Sequence, residues 1–195
     1  MKLLTLLFLI LPISGYTNMS DDLKNAYKMA KQMDSVQEEE NSAQRELDID
    51  NFLSIIGQIE SSGGTNFDHA EIQDGMHEGH RAAGTYGLMP NTIDEILNRM
   101  RLQGEVNPNL QSLSEMSPEE KKLAVENNPD MENALARSLA NRVLDNQNND
   151  EEKAAYSWFQ GHNMSPQDID EQDYQNHDYV KKYNKFKKIK DTLGE

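Results

Sequence analysis

The stretch "NFLSIIGQIESSGG", residues 51–64, carries the strongest structural signal in this chain of 195 residues. Four large apolar residues recur at i, i+3, i+4 and i+7, the spacing of one helix face, namely Phe52, Ile55, Ile56 and Ile59. Gly63 and Gly64 predict the end of this helix, because glycine readily adopts the backbone conformations that terminate helices. The carboxyl group of Glu60 is therefore expected in the last turn, at the border of the apolar face.

This position of Glu60 admits two interpretations. Partial burial raises the pKa of a carboxyl group, and the negative end of the helix dipole acts in the same direction. A carboxylic acid that stays protonated near neutral pH can donate its proton to a leaving oxygen, as a catalytic acid does. A glutamate at a helix border is also typical of a merely solvated residue. Other segments of the sequence are needed to distinguish a catalytic acid from a solvated residue.

Periodicity along the chain predicts a mainly helical, all-α domain with a long loop or short hairpin in residues 65–86. Asp48 or Asp50 is expected to cap the helix that holds Glu60. Ser117, followed by Pro118 and two glutamates, predicts a further helix start. Another predicted helix begins at Asn91 or Thr92 and ends near Met100. Three more are predicted over residues 129–146, 151–159 and 179–193.

The first 15 residues are typical of a secretory signal peptide, with Lys2 before a short apolar run and small residues in the cleavage zone. The run is too short for a transmembrane helix, which needs about 20 apolar residues. Residues 16–46 are polar and acidic and predict a helical arm, and residues 47–195 form the expected catalytic domain. We therefore expect a secreted or periplasmic protein with no integral membrane segment after signal removal.

Composition narrows the chemistry further. The chain has no cysteine, which excludes disulfides, a thiol nucleophile and a cysteine-zinc site. Its net charge of -15 disfavours binding to nucleic acid or anionic lipid. Six of the 19 basic side chains lie in residues 181–190. They predict either the outer face of a packed helix or a contact for an anionic wall polymer or membrane surface.

Three later segments change the interpretation of Glu60. They are "GTYGLMPNT" (residues 84–92), "AAYSWFQGHN" (residues 154–163) and "DYVKKY" (residues 178–183). Together with Glu60-Ser61, their order and spacing resemble the lysozyme-like superfamily of lytic transglycosylases and muramidases, over roughly residues 48–190. "SSGG" is also similar to goose-type lysozymes. Two features depart from that pattern: Pro90 directly follows Met89 where the family has a glutamine, and Ser157 replaces an asparagine.

The resemblance implies a lysozyme-like fold and cleavage of peptidoglycan between N-acetylmuramic acid and N-acetylglucosamine, with Glu60 as the acid. A transglycosylase would use the sugar's own C6 hydroxyl and leave a 1,6-anhydro end. An inverting lysozyme would need a second carboxylate to hold water, for which the loop offers Asp68, Glu71, Asp74 and Glu78. The implied substrate-binding residues are Ser61, Tyr86, Gly87, Leu88, Met89, Tyr156, Trp158 and Tyr179. We expect a monomer with no cofactor and no metal.

Other functions remain open at this stage. The missing glutamine is compatible with an inactive glycan-binding or inhibitor module of the same fold. The histidines His69, His77 and His80, with Glu71 and Glu78, suggest a metal-dependent hydrolase, although the His-Glu-Gly-His spacing differs from known zinc signatures. No Gly-x-Ser-x-Gly motif of a serine hydrolase occurs. If the protein cleaves glycan, its acidity favours N-deacetylated glycan, whose glucosamine units are cationic.

Overall fold

The structure is a computed structural model that describes residues 21–63, 69, 71, 80–105, 108–161 and 163–194. The predicted signal peptide, the first residues of the predicted arm and most of the loop after Glu60 lie outside the described residues. The chain divides into two compact units, Met1–Asp48, of which residues 21–48 are described, and Ile49–Glu195. In the first unit, the described residues are helical and most of their side chains are exposed.

The fold is all-α, as predicted. The described helices are α1 (Asp21–Ser61), α2 (Pro90–Gln103), α3 (Pro108–Gln111), α4 (Pro118–Glu126), α5 (Pro129–Asn146), α6 (Glu151–Gln160), α7 (Glu171–Asn176) and α8 (Asp178–Leu193). Two 3₁₀-helical turns add Ser112–Glu115 and Pro166–Asp168. Extended pairing in the described ranges is limited to an isolated antiparallel bridge between Ala83 and Leu88. No helix in those ranges is both long and apolar enough to cross a bilayer.

The start of α1 differs from the prediction. The sequence predicted a start at Asp48 or Asp50, but the helix already begins at Asp21. The reason is that residues 21–56 contain no glycine or proline to interrupt it. Neither aspartate caps a helix: Asp48 accepts a hydrogen bond from Gln44 Nε2 at 2.7 Å, and Asp50 forms an ion pair with Arg137.

The end of α1 lies where the sequence predicted a break. The helix ends at Ser61, and Ser62 and Gly63 follow with φ of 54° and 72°. The Gly63 N–H donates to the Gly57 carbonyl at 3.0 Å, which closes the last turn. The chain thus leaves the helix one residue after Glu60, and the carboxyl group is not covered by a further turn.

The remaining predicted helices are confirmed in type, and their caps explain their bounds. Ser117 and Glu120 form the reciprocal capping box expected at the start of α4. The Asn128 side chain accepts from the Met131 N–H at 3.1 Å and starts α5 at the predicted residue. Helix α2 begins at Pro90, slightly before the predicted Asn91 or Thr92, because proline is well suited to a first helical position.

The core of the second unit is built around aromatic contacts that position the catalytic candidate. The Phe52 ring of α1 lies 6.0 Å from the Trp158 ring of α6 and 5.7 Å from the Tyr183 ring of α8. All three side chains are buried. Burying a large apolar side chain contributes about 1.5–3 kcal/mol. These contacts fix the end of α1 against α8, one helix turn from Tyr179.

Candidate active site

Glu60 and Tyr179 meet at the centre of the site. Tyr179, at the start of α8, donates from its hydroxyl to Glu60 Oε1 at 2.6 Å across 119 residues of sequence. Glu60 is half-buried, and Tyr179 is buried. Burial raises the pKa of Glu60, and the hydrogen bond from Tyr179 and the charges of His69 and Lys182 offset part of that rise. The result is a carboxyl group whose proton is held more firmly than in water.

The backbone of the turn between Ala83 and Leu88 packs closely against this carboxyl group. The two residues exchange backbone hydrogen bonds of 2.8 and 3.0 Å. Gly87, in this turn, has φ of +65°, and a Cβ atom at this position would lie 2.7 Å from Glu60 Oε2. Glycine is therefore required twice over, for the left-handed backbone and for the close approach. The second glycine of the "GTYG" motif thus contributes directly to the surroundings of Glu60.

For the glycan cleavage that the motifs imply, Gly87→Ala is expected to lower the rate about ten- to a hundredfold, because the added methyl group displaces the acid and small misplacements are costly in catalysis. The matched control is Gly104→Ala. Gly104 has a similar φ of +75° but no atom within 4 Å of an added Cβ, so it reports backbone strain alone. Both variants should lose about 1–2 kcal/mol of stability, and only Gly87→Ala should lose the rate. Equal rates in the two variants would contradict the contact.

Glu132, at the start of α5, binds the same turn through hydrogen bonds. Its side chain is buried, and Oε1 accepts from the Tyr86 N–H at 3.1 Å. The Thr85 N–H and hydroxyl also donate to it. An added Cβ on Gly84 would lie 2.3 Å from Glu132 Oε1, so the turn and the carboxyl group are closely fitted. Burial raises the pKa of Glu132, and these hydrogen bonds offset part of that rise. The motifs in the sequence did not predict a role for this residue.

Tyr179→Phe is expected to move the basic limb of the pH–rate profile to higher pH. The lost hydrogen bond lowers the pKa of Glu60 in the wild type, so its removal keeps the acid protonated to higher pH. The rate at the optimum should fall about tenfold because the carboxyl group loses its orientation. Tyr183→Phe is the control: Tyr183 lies on the same helix as Tyr179, and its hydroxyl donates a 3.0 Å hydrogen bond to Glu151 of α6 that the substitution removes. A basic limb that shifts equally in both variants would contradict a specific role of Tyr179.

His69 contacts the turn that packs against the acid. Its Nε2 is 2.7 Å from the Gly84 carbonyl oxygen, which can only accept, so this ring nitrogen carries a hydrogen and donates. The attraction of its charge lowers the pKa of Glu60. Glu71 is exposed and pairs with Arg81 at 3.9 Å, while Asp68, Asp74 and Glu78 lie outside the described residues. The described part of the chain contains no group of three metal-ligating side chains, and His77 lies outside it.

The other predicted substrate-binding residues lie near the turn, in the main core or in a separate hydrophobic cluster. Tyr86, Gly87 and Met89 are half-buried around the turn, and Ser61 is buried, with Oγ donating to the Gly57 carbonyl at 3.0 Å. Leu88 is in the core. Tyr156 packs in a small separate cluster with Ile169, Tyr174 and Val180, and Trp158 packs against Phe52 with 9% of its surface exposed. Leu88, Trp158 and Tyr156 thus contribute chiefly to packing.

Ser157, at the position where the resemblance to the lysozyme-like motif predicts an asparagine, is fully buried. Its hydroxyl accepts from Gln147 Nε2 at 3.0 Å, and the same nitrogen donates to the Met164 carbonyl at 2.8 Å. The serine therefore helps to hold the segment after α6 against the end of α5. This contact gives the substitution a structural role.

Phe159 was not among the predicted residues, although its position suits a sugar-binding site. Its side chain is 53% exposed, and its ring centroid lies 5.0 Å from that of Tyr179 and 4.9 Å from that of His177. The tyrosine that holds Glu60 is therefore flanked by an exposed aromatic face. Aromatic faces of this kind suit the C–H faces of sugars.

Comparison of the chain with protein-family models, with curated proteins and with solved structures found no match. The functional interpretation therefore depends on the site itself and on the motifs that compose it.

Proposed function

We propose that residues 49–195 form a muramidase that cleaves the β-1,4 bond between N-acetylmuramic acid and N-acetylglucosamine in peptidoglycan. The observation that carries this proposal is the surroundings of Glu60. Its carboxyl group is half-buried, its pKa is raised by burial, and Tyr179 orients it with a 2.6 Å hydrogen bond. These are the properties of a general acid that protonates a leaving oxygen. The order of the motifs around it, which resembles that of lysozyme-like enzymes, supports the same assignment.

The proposed reaction begins with proton transfer from Glu60 to the glycosidic oxygen. The C1–O bond then breaks, and its electron pair goes to the oxygen of the departing N-acetylglucosamine, leaving an oxocarbenium-like muramic acid. With the muramic acid C6 hydroxyl as nucleophile, the Glu60 carboxylate accepts the hydroxyl proton as the new C1–O bond forms, which gives a 1,6-anhydro end. With water as nucleophile in an inverting reaction, a second carboxylate accepts the proton of the water, and the product has a reducing end. Phe159 and Tyr86 are proposed to contact the sugar rings.

Digestion of purified peptidoglycan followed by mass spectrometry tests the proposal. Soluble muropeptides with either reducing or 1,6-anhydro ends are expected, and the mass of that end identifies the nucleophile. Binding to peptidoglycan without any fragment would instead support the non-catalytic glycan-binding module. Loss of fragments on addition of a chelator would support a metal-dependent hydrolase.

Two further parts of the proposal concern place and substrate state. The signal peptide predicted in residues 1–15 would bring the enzyme to peptidoglycan outside the cytoplasm. The net charge of -15 predicts faster cleavage of N-deacetylated glycan. Parallel rates on acetylated and deacetylated peptidoglycan test this preference, and faster cleavage of the acetylated form would overturn it.

A further inference from the structure

The basic helix α8 passes directly beside the candidate acid. Tyr179, in its first turn, donates to Glu60, and Lys182 follows three residues later. At 3.6 residues per turn, Lys182 lies about 60° around the helix from Tyr179, on the same face. The attraction of the Lys182 ammonium lowers the pKa of Glu60, which agrees with this proximity. A positive charge therefore lies on the helix face that carries the tyrosine bound to Glu60, in a molecule with a net charge of -15.

No ion pair in the described part of the chain accounts for the position of Lys182. Its side chain is exposed, and among the described residues no carboxylate lies within ion-pair distance of it. By contrast, Lys187 on the same helix pairs with Glu151 at 2.6 Å, and Lys181 pairs with Asp178 at 3.5 Å. Lys182 also does not help the acid, because a nearby positive charge favours loss of the proton that Glu60 has to donate. Its charge is thus available to a ligand that approaches Glu60.

Peptidoglycan offers such a group. The lactyl side chain of each muramic acid carries a short peptide with free carboxylates, or is itself a free carboxylate where the peptide has been removed. Either form places negative charge on the C3 substituent of the same sugar ring whose C1–O bond Glu60 is proposed to cleave. A flexible lysine side chain can reach a carboxylate whose position varies, because its ammonium group acts as a point charge.

We propose that Lys182 is a specificity-determining residue that binds a carboxylate substituent of the muramic acid beside the scissile bond, an inference that rests on the proposed muramidase function. The enzyme then favours glycan with free carboxylates over the same glycan with those groups neutralised. An exposed ion pair of this kind corresponds to a preference of about two- to fivefold, which weakens as salt is added.

The test uses two forms of one peptidoglycan preparation, one native and one whose carboxylates have been converted to methylamides. Lys182→Ala is compared with Lys188→Ala, since Lys188 is also exposed but lies nine residues after Tyr179, about 180° around the helix. Cleavage rates at low substrate concentration give one preference ratio. Co-sedimentation of the same variants in a Glu60→Gln background gives a second ratio that does not require catalysis.

The wild type and Lys188→Ala are expected to prefer the native form about two- to fivefold in both measurements, and Lys182→Ala to lose the preference. If Lys182 acted only through the pKa of Glu60, Lys182→Ala would change both cleavage rates equally and keep the ratio, which would overturn the inference. Equal binding of the wild type to the two forms, or binding to neither, would also overturn it. Preferential binding of native glycan without cleavage would overturn the proposed muramidase and retain the carboxylate site.

Discussion

Replacing Glu60 with glutamine is expected to lower the rate of peptidoglycan cleavage by about a hundred- to ten-thousandfold. Glutamine has nearly the shape of the acid and can still accept the hydrogen bond from Tyr179. It has no acidic proton to give to the glycosidic oxygen. The decrease in rate therefore measures the loss of proton donation without a change in the shape of the side chain. The measurement is the initial rate of release of soluble muropeptides from purified peptidoglycan.

The same variant is expected to be more stable than the wild type at neutral pH. Burial raises the pKa of Glu60, so the folded state favours the neutral carboxyl group. The stabilising contribution of a raised pKa is complete below the unfolded value, near 4.5, and is lost as pH rises through the folded value. Glutamine stays neutral throughout. The Tm of Glu60→Gln should therefore exceed that of the wild type at pH 7 and approach it below about pH 4.

The control for both measurements is Glu38→Gln, which makes the same chemical change at an exposed position of α1. It should leave the cleavage rate unchanged and show no pH-dependent gain in Tm. An unchanged cleavage rate in Glu60→Gln would overturn the proposed acid. A lower Tm for Glu60→Gln at pH 7 would contradict the unfavourable burial of the charged form.

The helices were largely predictable because their ends are determined locally. Asn128 and Pro129 set the start of α5, and Ser117 with Glu120 set that of α4. The start of α1 was not predictable in this way. Asp48 and Asp50 are of a residue type that often caps helices, but residues 21–47 contain no glycine or proline that would end a helix before it reaches them.

The order of the motifs named both Glu60 and Tyr179 as site residues, but neither it nor periodicity predicted the hydrogen bond between them, since the two residues are 119 positions apart. Exposure of neighbouring residues was harder to predict. Trp158 and Phe159 are adjacent and both aromatic, yet the first packs on Phe52 and the second remains 53% exposed. Only the direction in which α6 meets the rest of the core decides which ring is available to a ligand.

Glu132 shows a signal that the sequence did contain. It precedes Leu135, Ala136 and Leu139 at i+3, i+4 and i+7, so it belongs to the apolar stripe of α5. A charged residue on a buried face requires partners. In the sequence it appeared as one more acid in the first turn of a helix, where acids are common. The structure shows its partners to be the turn that contacts Glu60.

Glu132→Ala is expected to lower both stability and cleavage rate. Removing the carboxylate leaves the N–H groups of Thr85 and Tyr86 without their acceptor, at about 1–3 kcal/mol for each buried donor. Because both residues are partly exposed, we expect a total loss of roughly 2–4 kcal/mol in the free energy of unfolding. The released turn no longer holds Gly87 against Glu60, and a displacement of this kind costs about a hundredfold in rate. Urea unfolding and muropeptide release measure the two effects.

Glu132→Gln separates a positioning role from a purely structural one. Glutamine keeps one acceptor oxygen, so it should recover part of the stability and part of the rate that alanine loses. Glu119→Ala, at an exposed position of α4, is the control and should change neither quantity. If Glu132→Ala loses stability but keeps its rate at a temperature where it is folded, the turn is not needed to place the acid. If the rate falls and Glu132→Gln restores it, the distance between Gly87 and Glu60 is set from α5, and the acid depends on a residue 72 positions further along the chain.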